Sequence, residues 1–593
     1  MDFNRRGRTS TPMTEEEPQR PDEEAPAPAL PLPGTGQSSY EPERSGVTPG
    51  APPGDSRQHH GRSIIRSAGV VGFMTLISRI TGMVREIVYA SIFGAGAVND
   101  AFRIAYGIPY FFRRVLGEGA MAAYFLPTFV DIRENQSPER AWYLSNNLFN
   151  TMGILTLILA GIIAIFAPQL LRVIAPGFVS TGNLELAVGL TRTMIPFTVT
   201  MTLSAILMAI LNAYQRFALP SSGTIILNFV FIAGLYTIVP LFGKVPVELI
   251  YGVGLVVVLG GFCQLFVLGA GVRRLGGRWK PVIDLKGPGL KRVLKLMVPA
   301  LFGMAVVRVN LLVDNALASL LGEGMISSLN YAERLLQFPM GVFGVAISTA
   351  ILPTLSGFSA KGKLAELRDT MNYALRMALF VAIPASIGII ILREPLVALF
   401  FQRGAFDALA THNTAWALLF YTSGLMGYIG VSVVVPVFYA QKDTKTPVIV
   451  GAIAVAVNII GDLSLMYWLK QGGLALASAF ASYVNLGLLL IIMRRRVGPI
   501  GFTKVFRSGL KILVASVAMG AVLLFGMEWY GFTAESSTFL DKLALGGGGI
   551  VAGAAVFLLA AWAMRSTELA DLKVILLGLL RRRFPPKGPE NGQ

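Results

Sequence analysis

Beyond residue 60, apolar residues come in blocks of about twenty or more, divided by short polar stretches, almost to the C-terminus. A helix needs about 20 apolar residues to cross roughly 30 Å of hydrocarbon. The pattern therefore predicts an all-α polytopic membrane protein with fourteen spans. Their limits fall near 67–93, 100–130, 141–168, 184–213, 219–242, 247–272, 291–320, 326–356, 364–392, 408–439, 446–469, 473–493, 506–527 and 542–564. The second span has the weakest apolar signal because its centre is polar. Two connections hold apolar pieces too short to span, APQLLRVIAPGF and EPLVALFFQRGAF, which read as interfacial helices.

The polar stretches orient the spans. Basic residues crowd the loops after even-numbered spans: Arg133 and Arg140, Arg216, the set Arg273, Arg274, Arg278, Lys280 and Lys286, then Lys361, Lys363 and Arg368, Lys442 and Lys445, and Arg494 to Arg496. The alternate loops are short or nearly neutral. By the positive-inside rule both termini are expected in the cytoplasm, as an even span count requires.

An internal repeat runs through the same region. FRIAYGIPYFF followed by FLPTF resembles ERLLQFPMGVF followed by ILPTL, which sets Arg103 loosely against Arg334, Pro109 against Pro339 and Pro127 against Pro353. AYQRFALP resembles YAQKDTKTP. The partners lie six spans apart and share an orientation. This predicts two six-helix lobes related by a pseudo-two-fold axis along the membrane normal, plus two extra C-terminal helices. A substrate site is expected where the lobes meet. The expected organisation is a disordered cytoplasmic tail at 1–60, a first lobe at 63–273, a second at 290–496, the extra pair at 504–565 and a basic cytoplasmic tail at 566–593.

Composition agrees with a membrane protein. Of 593 residues, 53% are hydrophobic and 14% charged, with mean hydropathy +0.61. The formal net charge of +17 is accounted for by cytoplasmic loops, so no nucleic-acid partner is expected. Cys263 is the single cysteine, which excludes an intrachain disulfide, and His59, His60 and His412 form no zinc motif. No Walker A sequence, HExxH motif or serine–histidine pair stands out, so the chain reads as a non-enzyme without an organic cofactor.

The candidate chemistry lies inside the spans. Arg79 and Arg85 occupy the first, Arg113 and Arg114 the second with Glu118 one turn on, and Arg334 the eighth, just before Pro339. An arginine at the bilayer centre costs about 2.5–3.5 kcal/mol on insertion scales. Several together read as a polar cavity for an anion, and the planar guanidinium fork suits phosphate or carboxylate. Snorkelling to the interface or pairing with an acid is the plainer alternative for each, above all for Arg113 and Arg114. Arg79 and Arg85 are six apart, about 9 Å along the axis, and share a face only if the helix bends, which Gly82 between them would permit. Asp100 opens the second span and reads equally as a helix cap or as an orienter of an arginine.

A second constellation joins Asp314 in span seven to Asn458 and Asp462, i and i+4 on span eleven, and to Ser478 on span twelve. Such oxygen ligands suit a hard cation such as Na⁺. Protonation of either Asp (H⁺ coupling) competes with it, and two acids meeting loop lysines near helix ends is the plain alternative.

Here a resemblance becomes specific. SRITGMVRE, FGAGAVNDAF, IPYFFRRVLGEGA and FLPTF resemble the N-terminal half of the MurJ (MviN-type) lipid II flippases. YAERLLQFPMGVFGVAISTAILPTLS and FYAQKDTKTP resemble their second half, and the likeness covers about residues 63–500. It implies membership of the multidrug/oligosaccharidyl-lipid/polysaccharide exporter superfamily, whose lobes alternate between inward-open and outward-open states. It further implies a bacterial inner-membrane transporter of the undecaprenyl-pyrophosphate-linked disaccharide-pentapeptide. In that family the residues matching Arg79, Arg85, Arg113 and Arg334 line the central cavity, those matching Asp100 and Lys445 are implicated in function, and the extra helices form a groove for the lipid tail. Membrane lipids and the wall-synthesis machinery are the further partners considered. This sequence departs from the family at Arg103, a place often apolar there, at Gly107, near which a basic residue is missing, and at Gln337, where some members carry an acid. Rival readings are a flippase for another polyprenyl-linked glycan, a drug exporter of the same superfamily, a polymerase acting on lipid-linked sugars, and a non-transporting scaffold.

Overall fold

The structure is a computed structural model describing residues 55–114, 121, 123–499, 501–535 and 537–573, with backbone alone for 55–71, 298–309, 345 and 502. Contacts divide the chain into residues 1–63, of which the helical stretch 55–63 is described, and residues 64–593. The expected tail at 1–60 and the basic end of the chain lie mostly outside the described residues. Every regular element among the described residues is helical.

The first group of helices comprises α1 (Asp55–Phe93), α2 (Ala97–Phe112), α3 (Leu126–Asn135), α4 (Pro138–Ile174), α5 (Gly177–Thr181), α6 (Leu184–Met194), α7 (Pro196–Ala213), α8 (Ala218–Thr237) and α9 (Pro246–Arg274). The second comprises α10 (Pro288–Ser319), α11 (Met325–Pro339), α12 (Val345–Ala360), α13 (Leu364–Ile391), α14 (Arg393–Phe401), α15 (Ala408–Ser423), α16 (Leu425–Ala440), α17 (Lys445–Leu469) and α18 (Gln471–Val497). The chain then continues through α19 (Phe502–Tyr530), α20 (Phe539–Lys542) and α21 (Gly549–Ala563).

Ten helical runs among the described residues are long and apolar enough to cross a membrane, and the pair α15–α16, bent by 44°, makes an eleventh. Fourteen spans were expected. The other three, at 67–93, 100–130 and 291–320, each include residues outside the described side chains, and each carries charge. The interfacial pieces also differ. APQLLRVI belongs to the long α4, leaving the short α5 as the separate piece, whereas α14 forms as expected.

Two details bear out the repeat. Pro109 and Pro339 each lie near the end of a helix that passes into π-helical backbone, at 113–114 and at Met340–Gly344. A proline removes one intrahelical hydrogen bond, and π-turns are a common accommodation near functional sites. The AYQRFALP and YAQKDTKTP turns also match residue for residue. Gln215 and Lys442 both have positive φ, +56° and +61°. In each turn the next amide reaches back five residues, Arg216 N to Leu211 O and Asp443 N to Phe438 O, both 2.9 Å. Both helices therefore end in the same left-handed, doubly bonded cap.

The packing is asymmetric from end to end. At the end that carries the 94–96, 320–324 and 402–407 turns, one core joins both groups, with Tyr89, Phe102 and Phe178 from the first and Ile326, Tyr331 and Phe406 from the second. At the opposite end there are two separate cores, one around Phe129, Leu148 and Ile206 that also takes in Leu290, Val293 and Met297 of α10, and one around Met371, Val433 and Phe438 of the second group. The loop charge pattern predicts that the joined end is the outer one.

At the joined end, backbones meet with no room for a side chain. A Cβ on Gly177 would lie 1.9 Å from Ser319 O, and one on Gly404 2.1 Å from Ser91 O. The Gly177 amide donates to Ser319 Oγ at 3.0 Å, and the Ala405 amide to Ser91 O at 2.8 Å. The linker between the groups is held by the first. Asn146, Asn147 and Asn150 of α4 bond the backbone of residues 278–284 as a neighbouring strand would, since each amide side chain both donates and accepts.

The outer closure can be read by cross-linking. Asn183 Nδ2 and Glu323 Oε1 sit 3.4 Å apart across it, Asn183 half-buried and Glu323 exposed. In a Cys263→Ser background, Asn183→Cys/Glu323→Cys should form a disulfide readily. Adding Gly177→Ala should cut that yield several-fold, because the closed backbone approach no longer fits. An unchanged yield would mean that Gly177 does not limit closure.

Candidate functional site

Glu86, one residue after Arg85 on α1, is the centre of the site, and only 6% of it is exposed. Its Oε1 accepts from Arg85 Nη2 at 2.7 Å and from Arg334 Nη2 at 3.1 Å, and its Oε2 accepts from Arg103 Nη2 at 3.2 Å. Arg85 and Arg103 come from the first group and Arg334 from the second, so the carboxylate ties the two together. The residues that the repeat sets in register, Arg103 and Arg334, converge on the same acid.

The surrounding groups aim the guanidiniums. Arg85 Nη1 donates to Asn228 Oδ1 at 3.2 Å, and its Cζ lies 5.3 Å from the Phe231 ring centre. Asn228 is itself held by Thr81 Oγ1, 3.0 Å from its Nδ2. A Cβ on Gly82 would lie 3.5 Å from Asn228 Nδ2, ordinary contact, and α1 runs through this position as one continuous helix. Arg113 lies 5.6 Å from the Tyr110 ring centre and lines, with Arg85, Tyr106 and Asn228, a side cavity of about 30 Å³, the room of a single water.

Arg79 does not join this cluster. It reaches across to α11's continuation, where a Cβ on Gly341 would lie 1.8 Å from its Nη1. Arg79 and Arg85 thus face different neighbours from one continuous helix. Arg114 is exposed at the end of the described part of the second span. Glu118 lies outside the described residues.

Asp100 is a cap, but not of its own helix. Its carboxylate accepts from the amides of Gly324 and Ser327, at 2.6 and 2.7 Å, and from the Ser327 hydroxyl. It therefore closes the N-terminus of α11 in the other group. Beside it, Asn99 donates to Gly94 O and to Tyr331 Oη.

Lys445 is the exposed first residue of α17, at the end opposite Asp100, in a turn built on Asp443. The Thr446 hydroxyl and amide and the Arg496 guanidinium donate to Asp443, at 2.6, 2.9 and 2.6 Å. These donors hold the carboxyl well below the usual carboxylate range, at about 2.

The second constellation assembles as expected and gains a member. Asn310 Nδ2 donates to Asp314 Oδ2 at 3.1 Å and to Asn458 Oδ1 at 3.0 Å. Asn458 Nδ2 donates to Asp462 Oδ2 at 2.8 Å, and Ser478 Oγ to Asn458 Oδ1 at 3.2 Å. Three buried oxygens here, Asn310 Oδ1, Asp314 Oδ1 and Asp462 Oδ1, lack a donor. Among the described residues no three His, Cys, Asp or Glu side chains gather as metal ligands. Two carboxylates with amide oxygens and a hydroxyl fit a hard cation or a proton better than a transition metal.

Glu86, Asn228 and Asn310 escaped the sequence reading. A signal for Glu86 was present, because an acid buried in an apolar span must be paired.

A profile of the family described as "Lipid II flippase MurJ" matches residues 89–541. The chain belongs to the MurJ family. A Vibrio cholerae serotype O1 protein described as a probable lipid II flippase MurJ is 34% identical over 436 residues, covering 72% of this chain and 82% of its own. A Burkholderia cenocepacia lipid II flippase MurJ is 32% identical over 514 residues, covering 85% and 98%. Among solved structures, a lipid II flippase MurJ in its inward closed conformation superposes with a TM-score of 0.70 at 27% identity, covering 83% of this chain and 98% of that one. An inward-facing MATE-family multidrug transporter of the MOP superfamily matches at 0.56 and 15% identity, covering 72% and 94%, which shows shared fold alone.

Removing a buried partner of an ion pair costs about 3–5 kcal/mol. Glu86→Gln should therefore lower the thermal midpoint in detergent, and inorganic pyrophosphate should raise that midpoint more in the variant than in the parent. Equal responses would show that Glu86 is not what balances these arginines.

Proposed function

We propose that this chain is a lipid II flippase of the bacterial inner membrane. It carries the undecaprenyl-pyrophosphate-linked disaccharide-pentapeptide from the cytoplasmic to the periplasmic leaflet by alternating access, with both termini cytoplasmic. The observation that carries this reading is the single carboxylate shared by three membrane-depth arginines from both helix groups, beneath a closed outer end. One negative charge leaves such a cluster cationic. A pyrophosphate entering from the open side offers more charge and more acceptor oxygens than Glu86 does, and guanidinium forks take them in bidentate fashion. Arg85 and Arg334 hold the headgroup, with Arg113 and Arg79 along its approach, while the polyprenyl tail stays in lipid. The Asp100 cap is broken when the outer side opens. The work is movement, without a bond made or broken.

The Asp314, Asn310, Asn458, Asp462 and Ser478 cluster is the coupling site. Its donor-free oxygens support Na⁺ occupancy, and a proton shared by the two carboxyls is the competing form.

Arg85→Ala and Arg334→Ala should each abolish complementation of a flippase-depleted strain at unchanged membrane level, by at least a hundredfold in plating. Normal growth with either allele would remove the binding-site assignment. For coupling, Asp462→Asn should abolish the dependence of lipid II translocation in proteoliposomes on an imposed sodium gradient. Dependence on a proton gradient alone would make the site a protonation site, and translocation indifferent to both gradients would remove its coupling role.

A further inference from the structure

Arg103 touches both the cavity cluster and the outer joint. Its Nη2 donates to Glu86, while its Nε donates to Asn99 Oδ1 at 3.0 Å. Its Cζ also lies 4.4 Å from the ring centre of Tyr331 in the other helix group. Tyr331 is fully buried and packs against Phe401 and Phe406, with ring centres 4.8 and 5.2 Å away. Its hydroxyl receives a bond from Asn99 and donates to Gly94 O at 3.3 Å. Asn99, Asp100 and Arg103 occupy adjoining turns of α2, so Arg103 stands one turn from the Asp100 cap.

The three guanidiniums on Glu86 are not equivalent. Arg334 is the most open, 39% exposed in its side chain against 19% for Arg85 and 13% for Arg103. An anion reaching the cluster from the cleft meets Arg334 and Arg85 first. As they turn to it, Glu86 Oε1 loses both of its donors and the whole carboxylate becomes available to Arg103. A two-bonded pairing with Glu86 is then the strongest contact open to that guanidinium. Reaching it requires Arg103 to slide off the Tyr331 ring, a contact between the groups at the outer end, and to leave Asn99, which itself donates to Tyr331 Oη across the same joint.

We propose that Arg103 is a positioning residue that relays anion occupancy of the cavity to the outer joint, through its shared hold on Glu86 and Tyr331. This rests on the reading of a pyrophosphate-bearing substrate. A purely structural Arg103 would stiffen the joint without making it respond to ligand.

The test uses the full chain in proteoliposomes, in the Cys263→Ser background with Asn183→Cys/Glu323→Cys as the outer-closure reporter. Disulfide yield is measured with and without lipid II, and lipid II binding is measured separately on the same preparations. With Arg103 present, lipid II should lower the yield several-fold. Arg103→Gln should still bind lipid II saturably, within about tenfold of the parent because Arg85 and Arg334 hold the headgroup, yet show the same yield with ligand as without. Tyr331→Leu, which removes the ring face, should lose the response too, whereas Tyr331→Phe should keep it. A parental-size response in Arg103→Gln, or equal responses in Tyr331→Leu and Tyr331→Phe, would overturn the relay. If Arg103→Gln does not accumulate, the two Tyr331 variants decide. Absence of lipid II binding by the parent would instead overturn the flippase reading itself.

Discussion

One buried carboxylate holds three arginines at membrane depth, and the rest of the structure depends on that arrangement. Glu86 makes the cluster affordable by giving each guanidinium an ionic hydrogen bond. It does not neutralise it, because one charge stands against three. A fully neutralised cluster would have no reason to admit an anion, and an unpaired one would carry the insertion cost of each arginine in full. On the proposed reading the surplus charge is what attracts the anion, and Asn228, Phe231, Asn99 and Tyr331 aim the arginine side chains around it.

The same cluster sits just inside the end where the two helix groups share a core. Backbone contacts at Gly177 and Gly404, the Asp100 cap on α11 and the aromatic packing around Tyr331 and Phe406 close that end. Among the described residues the cores at the opposite end stay separate. Packed interiors are close to bistable, since a joint of interdigitated backbones either fits or does not. Helix α10 connects the two regimes: Leu290, Val293 and Met297 belong to the first group's inner core, while Asn310 and Asp314 reach α17 of the second. On the proposed reading, a cation or proton bound at that end of α10 would act on a helix that packs with both groups.

Much of this was legible beforehand, and the exceptions have a common cause. The arginines were visible because charge in an apolar run is conspicuous. Asn458 and Asp462 were visible as an i, i+4 pair, and the repeat survived as two turns with the same left-handed residue. Glu86 was overlooked because an acid beside an arginine reads as a local pair, although its other partners are 17 and 248 residues away. Asp100 reads equally as a cap of its own helix or as an orienter of an arginine, and it caps a helix 224 residues on. Arg79 and Arg85 were grouped because they are neighbours in sequence, and a continuous α1 sends them to different partners.

What the sequence by itself determined was set by properties of contiguous residues: the apolar blocks that make helices membrane-spanning, the prolines that break two of them, the turn chemistry and the motifs of the MurJ family. What the tertiary structure alone decided was which charges meet. Hydropathy and helical period are summed over neighbours along one chain segment. A salt bridge or a cross-lobe cap depends instead on how rods far apart in sequence rotate and pack, and the energy of a charge in the membrane is settled by whatever lies within a few ångströms of it.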